Sequence, residues 1–165
     1  MDKTYINLTD FELEVIVPAL AEWRRGTNRQ FGVHDKKIST EPGMKIDMDG
    51  AKGELVWAKY LNIYPDFSTE IRSGGAELTY RGWSIDAKFK NGGWKDILTP
   101  IDTPLDKSEI YAACGGHNPY ELYGWCFNFE LIDEKNITMA AIKSYKRAGE
   151  LLYNPRRLLD IPYKV

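Results

Sequence analysis

The sequence predicts an α+β fold (α/β), a mixed central β-sheet of about four to five strands with flanking helices. Helix-like apolar spacing is confined to the part before residue 63, and it gives way to strict alternation after Gly74–Gly75. Strand-like runs cut by Gly and Pro then continue to residue 131.

The first helix opens at Thr9, which has capping-box spacing to Glu12 and is followed by Phe11, Val15, Leu20 and Trp23 on one approximate face. Pro18 is expected to kink it. Residues 26 to 50 are rich in Gly, Asn, Asp and Lys and read as a long surface loop. A second helix is expected over Ala51 to Asn62, with Leu55, Ala58 and Leu61 inward, Glu54 in its first turn and Pro65 stopping it. The runs Ala76–Tyr80 and Trp83–Phe89, joined by Arg81–Gly82, form a β-hairpin with a two-residue turn. Residues 91 to 106 read as irregular, with Asp96–Thr99 able to extend a strand. Ile110–Cys114 and Leu122–Leu131 are two more strands, and a short helix is expected within Met139–Leu152.

These elements form one domain over 1–165: an N-terminal helix and loop (1–50), a core helix and sheet (51–131) and a C-terminal basic segment (132–165). With 22 basic and 24 acidic residues, any affinity for a polyanion must come from a local patch rather than a global field. Cys114 and Cys126 each lie in an apolar run, which suits buried, reduced thiols better than a disulfide framework. The N-terminus lacks an apolar signal core and no run is long enough to span a bilayer, so the expectation is a cytoplasmic protein with no membrane partner.

The hairpin carries the chemistry. With Arg81–Gly82 as the turn, Tyr80 faces Trp83, Leu78 faces Ile85 and Glu77 faces Asp86. Alternation puts Ile85, Ala87 and Phe89 on an apolar face, and Glu77, Asp86 and Lys88 on the other. Two carboxylates directly opposite one another repel by about 0.2–1 kcal/mol, a cost that a divalent cation removes. Lys88 adds a cation that can stabilise a nucleophile or phosphate charge. An isolated Asp-x-Lys would be ordinary solvated surface. The cross-strand partner Glu77 and the upstream Glu54 make this one different.

Glu77, Asp86, Ala87 and Lys88, preceded by the Glu54 helix, resemble the PD-(D/E)xK nuclease superfamily, the restriction-endonuclease-like fold, in its small phage or mobile-element form. The resemblance covers about residues 50 to 131, and it departs from the family in having Glu at position 77. Pro65–Asp66 spells the literal dipeptide but lies farther from Asp86 and ranks below Glu77. The resemblance implies a Mg²⁺- or Mn²⁺-dependent nuclease acting on nucleic acid, with DNA the expected substrate, RNA not excluded by the sequence, and homodimerisation left open. Catalytic residues would be Lys88, Asp86, Glu77 and Glu54, and metal ligands Glu77, Asp86 and Glu54. Lys90, Lys95, Lys143, Lys146, Arg147, Arg156 and Arg157 are candidate nucleic-acid contacts. A catalytically inactive nucleic-acid- or protein-binding module on the same fold is the alternative.

Other motifs carry less. His34 and His117 have no zinc-ligand spacing, and Asp47–Gly50 lacks the rest of a calcium loop. Trp94, after Gly92–Gly93, can stack on a base, but the expectation is that it caps the core.

Overall fold

The computed structural model describes residues 2–30, 43–63 and 78–165. A short strand β1 (Thr4–Ile6) leads into the capping box, in which the Thr9 amide donates to Glu12 Oε2 (2.7 Å) and the Glu12 amide to Thr9 Oγ1 (3.1 Å). The next turn, Glu12–Ile16, is a π-helix, and α1 (Val17–Gln30) continues from it. The expected irregularity at Pro18 thus falls in the preceding turn, where a widened spiral makes room for a ring that would otherwise meet the Glu14 carbonyl. Phe11 (63% exposed), Val15 (46%) and Trp23 (48%) face outward, whereas Val17, Leu20 and Ala21 are buried. Of the face expected from sequence, only Leu20 lies in the core.

Helix α2 (Gly43–Leu61) begins eight residues before the expected Ala51, and α1 runs on to Gln30. The ends of the expected 26–50 loop are therefore helical, while 31–42 lie outside the described residues. Glycines and aspartates disguise the helix start. Met44 and Met48 pack on the same core as Ala51, a spacing of four then three, and Lys45 and Lys52 both pair with Asp49. Leu55, Ala58 and Leu61 are buried as expected.

The hairpin of β2 (Leu78–Tyr80) and β3 (Trp83–Lys90) has the expected register, Leu78 to Ile85, Thr79 to Ser84 and Tyr80 to Trp83. Arg81 (φ 50°) and Gly82 (φ 84°) both adopt positive φ, the requirement of a type I′ turn. β4 (Ile97–Pro100), β5 (Ile110–Gly115) and β6 (Tyr120–Phe127) follow. The main sheet is mixed and five-stranded, in the order β1-β6-β5-β3-β2, with β3 and β5 parallel. This is the α+β architecture expected.

Two expectations near the C-terminus are corrected. The strand expected over Leu122–Leu131 ends at Phe127, where the backbone amide donates to Glu130 Oε2 (2.9 Å) and starts the one-turn helix α3 (Asn128–Leu131). The short helix expected within 139–152 is confined to a 3₁₀ turn at Gly149–Leu151, and ahead of it β7 (Ile137–Met139) and β8 (Lys143–Arg147) join β4 in a second sheet, β4-β8-β7. Pairing with β4 overrides the helix-compatible composition of Lys143–Arg147. A short α4 (Pro155–Leu159), capped by Asn154, ends the described structure's regular elements.

Two apolar clusters sandwich the main sheet. One joins α1 and α2 to Ile85, Ala87, Ile110, Ala112 and Leu122. The other joins Tyr111, Ala113 and Cys126 to Ile97, Leu131 and Leu152 on the opposite face. No helix among the described residues is long and apolar enough to cross a membrane.

Candidate functional site

Strand β3 lies inside the sheet, and its odd-numbered residues pack beneath α2. Gly53 of that helix approaches so closely that a Cβ there would sit 3.2 Å from the Phe89 backbone nitrogen. The even-numbered side chains stand on the other face. Asp86 pairs in register with Tyr111 and Lys88 with Ala113, which places both beside the second cluster.

That face is not open to solvent, as the alternation alone suggests. Asp86 is only 1% exposed. It is held by two ammonium groups: Lys88 Nζ lies 3.0 Å away and Lys107 Nζ 3.0 Å away, both hydrogen-bonded to Oδ2. Lys88 Nζ is also 3.0 Å from Oδ1, yet in a direction that makes no hydrogen bond, so Oδ1 is buried without one. Burial by itself would raise the Asp86 pKa, but the charges and hydrogen bonds of Lys88 and Lys107 more than offset this and hold it below the ordinary carboxylate value. Tyr111 is pushed the other way, by burial and then by the Asp86 charge.

Lys107 was not legible as a partner, because it lies 21 residues from Asp86 in the Gly- and Pro-rich stretch. Turns closed by Thr103 N to Pro100 O (3.0 Å) and Lys107 N to Pro104 O (3.1 Å) bring it back. The loop is then pinned to the start of β3, where Glu109 accepts from the Ser84 amide (3.1 Å) and Ser84 Oγ accepts from the Glu109 amide (3.0 Å).

Glu54 is fully buried on α2, which packs against the face of β3 opposite Asp86 and Lys88. Glu77, Asp66 and His34 lie outside the described residues. Among the described residues, no three His, Cys, Asp or Glu side chains converge as metal ligands.

The candidate nucleic-acid contacts divide by their partners. Lys95 pairs with Glu121 (2.5 Å), Lys146 with Asp96 (2.9 Å) and Arg147 with Glu130 (3.4 Å). Lys143, Arg156 and Arg157 are exposed, and Arg157 lies 5.2 Å from the centre of the Tyr153 ring. Lys90 continues the Asp86–Lys88 face. Burial and then the nearby Lys88 charge bring its pKa down to about 8. Trp94 does not cap the core, as the Gly-rich approach allows it to stand 76% exposed.

Both cysteines are free and buried, as expected. Burial pushes the Cys126 thiol up to about 12 and Cys114 higher, which makes them poor nucleophiles. His117 is exposed in the 115–119 loop, whose neighbour Asn118 staples Leu8 by accepting from its amide (2.9 Å) and donating to its carbonyl (2.7 Å). No protein-family model matches this chain, and neither the curated proteins nor the solved structures give a match.

Proposed function

We propose that the protein is a metal-dependent nuclease of the PD-(D/E)xK kind that hydrolyses DNA phosphodiester bonds. The observation that carries this reading is the buried Asp86 carboxylate fixed beside the Lys88 ammonium, 3.0 Å apart, on an interior strand that follows a type I′ hairpin and packs beneath an acid-bearing helix. The sequence alone sets Glu77 opposite Asp86, the second carboxylate such a site needs, and Glu77 lies outside the described residues.

A divalent ion suits Asp86, because its Oδ1 is a hard, buried oxygen that no hydrogen bond saturates. Asp86 and Glu77 would hold it, with Glu54 beneath the strand supporting that segment from α2. When bound, Mg²⁺ supplies Lewis-acid polarisation of the phosphate and a more acidic water. The chain's own contribution is positional: Lys88 Nζ places a fixed positive charge at the reacting phosphate, and Lys107 keeps Asp86 ionised and oriented. At the carboxylate the ion would compete with the ammonium groups of both Lys88 and Lys107.

One observation favours a second reading. Two ammonium groups within 3.0 Å already neutralise Asp86, which is how a nuclease-like fold without activity would keep a buried acid. That reading makes the protein a nucleic-acid- or protein-binding module. Incubation with single-stranded, duplex and branched DNA and with RNA, in Mg²⁺ or Mn²⁺ and then in chelator, separates the two. Cutting that the chelator abolishes supports the nuclease; binding without cutting under every metal condition supports the module.

A further inference from the structure

Beyond Lys88 on the same strand face, a cleft of about 220 Å³ opens between the two sheets, lined by Lys90, Trp94, Asp96, Leu98, Met139 and Lys146 among others. We propose that this cleft binds one unpaired nucleotide of the substrate strand, its base stacked on Trp94 and its phosphate held between Lys90 and Lys146; the proposal rests on the nucleic-acid reading of the Asp86–Lys88 site.

Three features point there. Trp94 and Met139 are each 76% exposed, a large apolar outlay at the rim of a cleft whose floor carries charge. An indole beside a flexible thioether is a surface on which any base can stack. The cleft is smaller than the roughly 300–1,000 Å³ of sites for drug-sized ligands, so it suits a single ring system rather than a longer segment of chain.

The charges fit a phosphodiester. Lys90 and Lys146 face one carboxylate, Asp96, which pairs with Lys146 at 2.9 Å and also accepts from the Gly149 amide at 2.9 Å. That leaves a net positive charge at the Lys90 side. Lys90 carries its ammonium against burial and against the like charge of Lys88, a penalty that an incoming phosphate relieves. Position matters as well: Lys90 is two residues past Lys88, about 7 Å along the strand, so a nucleotide in the cleft would lie next to a phosphate at Lys88. Duplex DNA offers no unstacked base to Trp94, so the cleft should discriminate in favour of single-stranded or flapped substrate.

The test is fluorescence anisotropy of the full chain with a labelled single strand and with a duplex of the same sequence, in chelator so that nothing is cut. Trp94→Ala should weaken single-strand binding by about 5- to 140-fold, the worth of one base–aromatic stack, while duplex binding changes by less than about twofold. Trp94→Phe should keep most of the affinity, which rules out misfolding as the cause. Lys90→Gln should weaken the single strand in the same selective way. Unchanged single-strand affinity in Trp94→Ala, equal losses on single strand and duplex, or no single-strand binding by the wild type would each overturn the proposal. Cleavage by the wild type in Mg²⁺ is scored separately: selective loss in Trp94→Ala without any cutting would uphold the cleft and sink the nuclease reading, whereas cutting with Trp94-independent binding would sink the cleft alone.

Discussion

Replacing Asp86 with Asn at neutral pH should destabilise the protein, and the ion triad sets the size. Removing one partner of a buried ion pair costs about 3–5 kcal/mol when the other charge stays trapped. Here the lysine side chains keep 23% and 30% of their surface exposed, so both ammoniums can turn toward water once the carboxylate is gone. That lowers the expected loss to about 2–3 kcal/mol, or about 4–12 °C in Tm for a chain of this size. The pH dependence has a definite sign. The folded pKa of Asp86 is depressed, so its contribution is full above the unfolded value of about 3.9 and is lost as pH falls through the folded value. Thermal unfolding of wild type and variant should differ by a constant amount from about pH 5 to 8 and converge in stronger acid. Opposed Glu77 and Asp86 carboxylates, considered alone, imply the reverse, a variant at least as stable as wild type. Equal or higher Tm for Asp86→Asn at pH 7 would refute the triad as a stabilising unit and restore that like-charge picture.

Three further outcomes follow. Lys107→Met should tighten Mn²⁺ binding at least tenfold by titration calorimetry, since one charged hydrogen bond to Asp86, about 1.5–3 kcal/mol, no longer competes with the ion; unchanged affinity would place the metal elsewhere. Gly124→Ala should lower Tm by at least about 4 °C, because Gly124 has φ 138° and a Cβ there would lie 2.6 Å from the Tyr153 carbonyl oxygen; wild-type stability would mean that β6 and the 153 segment separate easily. Changing Arg156 and Arg157 together to Gln should flatten the salt dependence of DNA binding by about 1.4–1.8 in log–log slope, and an unaltered slope would assign α4 to structure alone.

The hairpin was legible from Leu78 onward because its turn chemistry, Arg81–Gly82, fixes register, and register fixes which side chains share a face. Asp86 and Lys88 were therefore placed together from sequence. Their burial was not, because it depends on β4 and β8 folding over that face from residues 97–100 and 143–147. Lys143–Arg147 reads Lys-Ser-Tyr-Lys-Arg, with no strict alternation, so local propensity assigns it to helix as readily as to strand. Lys107 reaches Asp86 only through two turns, and no spacing rule encodes that return. On the helical side, the box of Thr9 and Glu12 announced the start of a helix, but the inward face runs through Val17, Leu20 and Ala21 and leaves Phe11, Val15 and Trp23 exposed. The start of α2 was hidden by Gly43 and Gly50, whereas Gly53, inside the expected helix, is needed for close packing on Phe89.

On the proposed reading, Asp86 and Lys88 carry out phosphodiester cleavage. Its most direct test is the single-turnover rate at saturating protein, with Mg²⁺ or Mn²⁺, on a DNA that the wild type cuts. Asp86→Asn and Lys88→Ala should each slow cutting by about 100-fold or more while DNA affinity changes only a few-fold, because the lost groups act on the reacting phosphate rather than on the bound strand. Cutting by Asp86→Asn or Lys88→Ala at the wild-type rate would contradict it.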